Sequence, residues 1–385
     1  MRFADNRNKI GKYIPAVVFL IFIYGMALWF IFSPKPDYSS SEKRYLQKFP
    51  EVTAEKLLSG DFGSEFETFS ADRFPQRNTW VGLNAYTALA EGNNGASGVY
   101  NCKNGYLINK PVSTENNLDK NIGAVADFAK SIDTPTTVML VPSTGYIVDD
   151  VLPTFHDKYN DDEDISKISS TLSKDKIGFV DLRERFKSEY KNGSQLYYKT
   201  DHHWTTKGAY TGYQELCKAL GITPIDDSTL KKDSYPDFYG TTYSSSGFWL
   251  TPPDNIEIWN NPKNSDRNIS VKITEGANIK TSGSMYFTDH LKEDDKYPVF
   301  IDGNHALTEI TNTNAKNGTI LLIKDSFSHS LAPFLAENYS KVVLVDLRYY
   351  KESVSDLVTT YNPEQVVVLY GIDNLATDTD IVWLK

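Results

Sequence analysis

Residues 319–370 read Thr319-ILLIKDSFSHSLAPFLAENYSKVVLVDLRYYKESVSDLVTTYNPEQVVVL-Tyr370. Three short apolar runs, Thr319 to Ile323, Val342 to Leu347 and Val366 to Tyr370, alternate with two longer amphipathic stretches at 327–338 and 351–360. Runs of that length, rich in Val and Ile, suit buried strands, and the stretches between them suit helices. Strands alternating with helices imply a parallel sheet with right-handed crossovers, an α/β fold. Sites in such sheets lie beyond the carboxyl ends of the strands. Ser326, Arg348 and Tyr370 each fall at or just past such an end.

The same rhythm begins at about residue 112. Residues 114–131 carry helical spacing (Leu118, Ile122, Val125, Ala126, Ala129), followed by a strand at Thr136 to Val141. A helix at 162–174, a strand at Ile177 to Leu182 and a Thr-capped helix at Thr206 to Leu220 come next. Residues 221–315 break the pattern. They are rich in Gly, Pro, Asn and aromatics, with alternation at Ile269-Ser270-Val271-Lys272-Ile273, and read as a β-rich insertion that shapes a substrate site. Upstream, Gly98-Val99-Tyr100 and Gly105 to Ile108 suggest a small hairpin, and a helix is expected near Trp80–Glu91.

The N-terminus is of a different kind. Residues 1–12 hold four basic residues and one acid, and residues 13–32 carry no charge. About 20 residues at 1.5 Å rise span roughly 30 Å, the thickness of a bilayer core. The basic flank keeps residues 1–12 in the cytoplasm by the positive-inside rule, so the rest lies outside the cell membrane. Phe30-Ile31-Phe32 offers no small-x-small cleavage site, which favours an uncleaved anchor over a signal peptide. Residues 33–48 read as a polar stalk and 49–385 as the extracellular domain.

A formal charge of -10 argues against nucleic acid as the main partner. The 24 tyrosines suit stacking on sugars, though AT-rich coding bias accounts for them equally well. Cys102 and Cys217 are too far apart in sequence to form a metal-binding pair, and they leave a disulfide open.

The chemistry concentrates in Thr200-Asp201-His202-His203-Trp204-Thr205-Thr206. Histidine moves protons near neutral pH, and an aspartate two residues earlier can fix its tautomer. His203 is the candidate base, Asp201 its orienter, and His202 is expected to point away. The stretch lacks a nucleophile. Ser326, at a strand-to-helix turn, is the candidate, with Ser328 and His329 as decoys nearby; a plain helix cap is the competing reading. Asp201, His202 and a distant His290 or His305 could instead hold a metal, but without a recognisable ligand spacing. Neither a cofactor nor a metal is expected.

The stretch from Thr200 to Tyr210 resembles the signature of the bacterial DHHW protein family, which is similar to the SGNH-like alginate O-acetyltransferases of the periplasm. Their Asp-x-His-Trp motif and far-downstream serine match Asp201, His203, Trp204 and Ser326. Asp72-Arg73-Phe74-Pro75-Gln76-Arg77 extends the resemblance upstream. The resemblance implies a flavodoxin-like, SGNH-hydrolase-like sheet with helices on both faces, circularly permuted so that acid and base precede the serine. It also implies Arg348 and Tyr370 as oxyanion or substrate-binding residues, together with Trp204. The expected activity is acetyl transfer to a cell-surface polysaccharide, with a membrane-bound O-acyltransferase partner supplying acetyl. An SGNH-type acetylesterase uses the same triad with water as acceptor, and a non-catalytic polysaccharide-binding or assembly protein fits the aromatic insertion.

Overall fold

The computed structural model describes residues 2–113, 117–265 and 267–384. The chain divides into two compact units, Met1–Thr87 and Ala88–Lys385.

The first unit opens with helix α1 (Arg2–Phe32), whose Lys12–Phe32 segment is apolar and long enough to cross a membrane. Residues 33–48 correct the expectation of a stalk. Strands β1 (Tyr38–Ser39) and β2 (Arg44–Tyr45) pair, and helices α2 (Ala54–Ser59) and α3 (Asp61–Asp72) follow. Arg73 is buried and donates to the carbonyls of Lys35, Pro36 and Gln47, while Asp72 accepts a bidentate pair from Arg44. Polar composition suggested a loop because the partners lie some 30 residues downstream. A guanidinium has donors enough to satisfy several chain carbonyls at once, and here it folds the segment. Helix α4 (Arg77–Ala90) carries the chain onward.

In the second unit a three-stranded ribbon comes first: β3 (Gly95–Ala96), β4 (Val99–Asn101) and β5 (Leu107–Asn109). Then follow α5 (Asn117–Ser131), β6 (Thr136–Val141), α6 (Thr144–Ile147), α7 (Asp161–Lys174), β7 (Gly178–Asp181), α8 (Arg183–Lys191) and α9 (Thr206–Leu220). The expected start of α5 at residues 114–116 lies outside the described residues. Next come β8 (Lys231–Phe238), α10 (Thr241–Ser246), β9 (Asp254–Asn260), β10 (Ile269–Glu275), β11 (Asn278–Ser282) and β12 (Leu307–Asn312). The chain closes with β13 (Asn317–Lys324), α11 (Ser328–Leu335), β14 (Tyr339–Val345), α12 (Val354–Tyr361), β15 (Gln365–Gly371) and α13 (Ile372–Thr377).

The main sheet has eight strands in the order β11-β10-β12-β14-β13-β15-β6-β7. The five from β14 to β7 run parallel, and β12, β10 and β11 add antiparallel neighbours. Counted from β13 through β15 and then β6 and β7, the parallel strands stand in the order 2-1-3-4-5. That is the flavodoxin-like order, entered at a different point of the chain. The 221–315 segment is therefore less of an insertion than its composition suggests. Its last strands widen the sheet, whereas β8 and β9 form a separate hairpin over Tyr198, Phe238, Tyr297 and Phe300.

Alternation along the strands builds two cores. Ile320 and Leu322 face one side with Trp204, Tyr213 and Leu331. Leu321 and Ile323 face the other with Leu118, Ile122, Leu357 and Leu375. The result is a sheet between two helical layers. Cys102 and Cys217 are buried, free thiols.

Candidate active site

In doubly wound sheets the ligand crevice opens where the strand order reverses. Here that point lies between β13 and β15, and Ser326 follows β13 directly. Asp325 sets the turn. One carboxylate oxygen accepts the Phe327 amide (2.9 Å), and the other accepts the Gly371 amide at the end of β15 and the Asn374 side chain, both at 2.7 Å. Burial raises the Asp325 carboxyl, against the lowering pull of these donors. The turn thus ties the ends of two neighbouring strands together.

The Asp201–Trp204 run is held just as firmly. Tyr197 and Trp204 form an antiparallel bridge, and the Tyr198 amide donates to the His203 carbonyl. Asp254, buried at the start of β9, accepts from the Lys199 and Thr200 amides, the Thr200 hydroxyl and Gln195. Thr205 caps α9 by accepting the Gly208 amide. Within this frame the Asp201 side chain accepts the His203 amide two residues on (2.8 Å), a turn that aspartate favours.

These two pieces meet. His203 Nδ1 lies 2.5 Å from Asp201 Oδ1, and His203 Nε2 lies 2.7 Å from Ser326 Oγ. The carboxylate acceptor requires a proton on Nδ1, which leaves Nε2 to accept the serine hydroxyl. Asp201 Oδ2 accepts the Thr241 amide (2.7 Å) and hydroxyl (3.0 Å). Burial alone would raise the Asp201 carboxyl, but His203, His202 and Thr241 outweigh it and hold the group well below the usual carboxylate range. Tyr297 stacks on the His203 ring at 4.0 Å and donates its hydroxyl to the Ser326 carbonyl (3.2 Å). Asp201, His203 and Ser326 are 2%, 4% and 8% exposed, so the array is desolvated yet reaches the surface at the serine.

Other sequence expectations meet a different outcome. His202 does not point away: residues 201–203 turn rather than extend, so its ring lies 3.8 Å from that of His203 and bonds Thr241 Oγ1 (2.6 Å). Burial and the neighbouring His203 push its imidazole down to about 4. Asp201, His202 and His203 sit close enough to hold an ion, yet hydrogen bonds already engage both Asp201 oxygens, both His203 nitrogens and His202 Nδ1. Trp204 was expected to bind substrate, but it is completely buried. Its indole N–H donates to the Phe327 carbonyl (3.0 Å) and Ser330 Oγ (2.9 Å), so it braces the serine turn from within.

Tyr370 is likewise corrected as a substrate contact. Its ring is 2% exposed within the core of the α5, α12 and α13 face, because alternation along β15 turns that position inward. Arg348 is partly exposed, and Asp346 and Asn304 bind its guanidinium through Nε and Nη2, with no hydrogen bond to Ser326 among the described residues. Asp346 also holds the buried Lys324 Nζ, which reaches His329 Nε2 at 2.8 Å. Ser328 Oγ is buried without a partner, so it shares none of the contacts of Ser326. Thr241, Asp254, Tyr297 and Asp325 went unnoticed in the sequence; their partners lie 29 to 55 residues away or across the sheet, where periodicity carries no signal.

A cavity of about 50 Å³ adjoins the array, walled by Asp201, His202 and Phe327 on one side and by Ser143, Thr242 and Asp373 on the other.

Comparison with curated proteins gives no sequence match. Among solved structures, a DHHW family protein from Eubacterium siraeum superposes with a TM-score of 0.63 at 17% identity, over 75% of this chain and 95% of that one. Bacillus cereus PatB1, solved with a sulfonyl adduct, gives 0.63 at 21% identity, over 74% of this chain and 97% of that one. The O-acetyltransferase domain of Pseudomonas putida AlgJ lies further off, at 0.48 and 14% identity, over 75% of this chain and 95% of that one. The DHHW protein family profile matches residues 112–345, which span the Asp201–Trp204 run and Ser326. The chain belongs to the DHHW protein family.

Proposed function

We propose that this chain is a membrane-anchored O-acetyltransferase that works outside the cell on a surface polysaccharide. The hydrogen-bonded relay from Asp201 through His203 to Ser326 carries the reading. In the first step His203 Nε2 takes the proton of Ser326 Oγ as the oxygen attacks the carbonyl carbon of an acetyl donor. The donor's leaving group departs with that proton, and acetyl-Ser326 remains. In the second step His203 deprotonates a sugar hydroxyl, which attacks the acetyl carbonyl and restores the serine. Asp201, ionised and four times hydrogen-bonded, stabilises the imidazolium in both steps. The Ser326 amide donates to no acceptor among the described residues and is free to meet the oxyanion; Arg348 lies past the next strand, its guanidinium held by Asp346 and Asn304. An acetyl-supplying membrane O-acyltransferase completes the scheme, because the one candidate span among the described residues, Lys12–Phe32, offers no path for acetyl across the bilayer.

The test compares full-length wild type, Ser326→Ala and Ser328→Ala in detergent. Release of p-nitrophenol from p-nitrophenyl acetate and labelling by a sulfonyl fluoride should both vanish in Ser326→Ala and persist in Ser328→Ala. Equal activity in both variants would sink the assignment. Release without transfer to any offered saccharide would favour the esterase.

A further inference from the structure

The first unit carries a cluster of rings that its own core does not close. On α3, Phe62, Phe66 and Phe69 fall at i, i+4 and i+7, one stripe of the helix. Phe49 lies across that stripe, its ring centroid 6.4, 6.0 and 5.4 Å from the three. Arg73 helps to bring it there by holding the Gln47 carbonyl two residues earlier. Phe69 is buried, but Phe49 and Phe66 are 58% and 40% exposed. Fully burying a phenylalanine side chain stabilises by about 1.5–3 kcal/mol, so the open side of the cluster favours an apolar neighbour.

Its position says which neighbour. Phe69 meets the ring of Phe30 edge-on at 6.2 Å, and Phe30 lies in the last turn of the apolar Lys12–Phe32 segment. That segment has 21 residues, which at about 1.5 Å each match a bilayer core of about 30 Å. Phe30 therefore falls at the edge of the core. Trp29, exposed in the same turn, suits that level, where aromatic side chains gather. Phe49 and Phe66 each touch Phe69, so each lies two ring contacts from the span. The headgroup layer beyond the core is roughly 5–8 Å deep, and interfacial helices bury their apolar face roughly 5–10 Å into that boundary. A sugar chain fits poorly, because none of these rings carries a hydroxyl to pair with it. Attraction to anionic lipid fits poorly too, because residues 54–72 hold five acids and one lysine.

We propose that the open side of this cluster, at Phe49 and Phe66, is immersed in the headgroup layer at the carboxyl end of the span. It is a second membrane contact, made by apolar burial rather than by charge. The proposal rests on the membrane-anchored reading above. Two contacts fix the tilt of the first unit at the bilayer, where a single span would let it swivel.

The experiment places full-length protein in phosphatidylcholine nanodiscs with a nitroxide on one introduced cysteine. The variants are Phe49→Cys, Phe66→Cys, Ser64→Cys on the opposite side of α3, and Ile21→Cys in the middle of the span. Each ring variant leaves three of the four rings in place. Cys102 and Cys217 are buried, and wild type treated alike measures any label they take. Oxygen concentrates among acyl chains and a nickel chelate stays in water, so the ratio of their collision rates reports depth. The ratio at Phe49 and at Phe66 should exceed that at Ser64 severalfold and stay below that at Ile21. A ratio matching Ser64 at either ring position, with Ile21 deep, would overturn the proposal and leave the anchor standing. A label shielded from both reagents would overturn it in favour of a protein partner or a second copy of this chain. A nickel-accessible Ile21 would instead overturn the anchor itself.

Discussion

Replacing Asp201 by Asn tests the relay at its least forgiving point. The carboxylate accepts four hydrogen bonds, two from His203 on Oδ1 and two from Thr241 on Oδ2. An amide has one accepting end. Keeping the Thr241 contacts turns the NH2 toward His203 Nδ1, which must then accept, so the proton moves to Nε2 and Ser326 loses its base. Turning the amide the other way sets its NH2 against the Thr241 amide in a site with almost no water. Each arrangement leaves one backbone amide facing the NH2, that of His203 in the first and that of Thr241 in the second; in the first the imidazole can still pair by changing tautomer, so Asp201→Asn should remain folded and lose the working tautomer. The expected drop in kcat is about 10³–10⁴-fold, or roughly 4–5.5 kcal/mol of barrier. Steady-state p-nitrophenyl acetate turnover from pH 6 to 9, with circular dichroism as the folding control, measures it. A loss under tenfold in a folded variant would refute the argument that Asp201 sets the His203 tautomer.

Gly240→Ala should act on the same carboxylate from outside the relay. An added Cβ would lie 2.0 Å from Asp201 Cβ, and the resulting shift should cost on the order of 10²-fold in turnover with the helix content intact. Trp204→Phe keeps an aromatic ring but removes the indole hydrogen bonds to the Phe327 carbonyl and Ser330 hydroxyl; urea denaturation should show a loss of about 1–3 kcal/mol. Asp161 is buried, and with the Asp373 charge nearby its carboxyl rises to about 7. The folded state therefore binds more protons than the unfolded one between about pH 4 and 7, and stability falls as pH rises through that window. Asp161→Asn removes the penalty while still accepting the Ser143 amide, so its melting temperature should exceed wild type at pH 8 and lose that advantage at pH 4.

Local patterns were legible in the sequence. The strand at Thr136–Val141 and the helix at Thr206–Leu220 fall at the expected residues, because short apolar runs and a threonine cap act within a few positions. Mixed character in the sheet was not legible. Ile269 to Ile273 alternates as a hairpin strand should, yet β10 also pairs with β12, 38 positions along from its first residue, and joins the main sheet. Periodicity reports a face and says nothing of which neighbour covers the edge. In the candidate site, adjacency in the chain suggested Asp201 and His203 together, whereas the Trp204 brace and the Tyr297 stack depend on contacts spanning 94 residues or more. The stalk expectation missed Arg73 for the same reason: one distant guanidinium can order a polar stretch.

Entering the flavodoxin-like order at β6 has a consequence for biogenesis. The chain is made from its amino end, so β6 and β7 emerge with α5, α7 and α9 long before β13 to β15. Until then β6 has an open edge where β15 belongs, and β12 has one where β14 belongs. Exposed strand edges are templates for unwanted pairing, and long-range parallel pairing is slow. Half-made chains should therefore depend on chaperones to stay unpaired. The delay also brings the serine last. Asp201 and His203 are made before the serine that His203 contacts, so a chain that stops short of β13 carries the acid and the imidazole without Ser326.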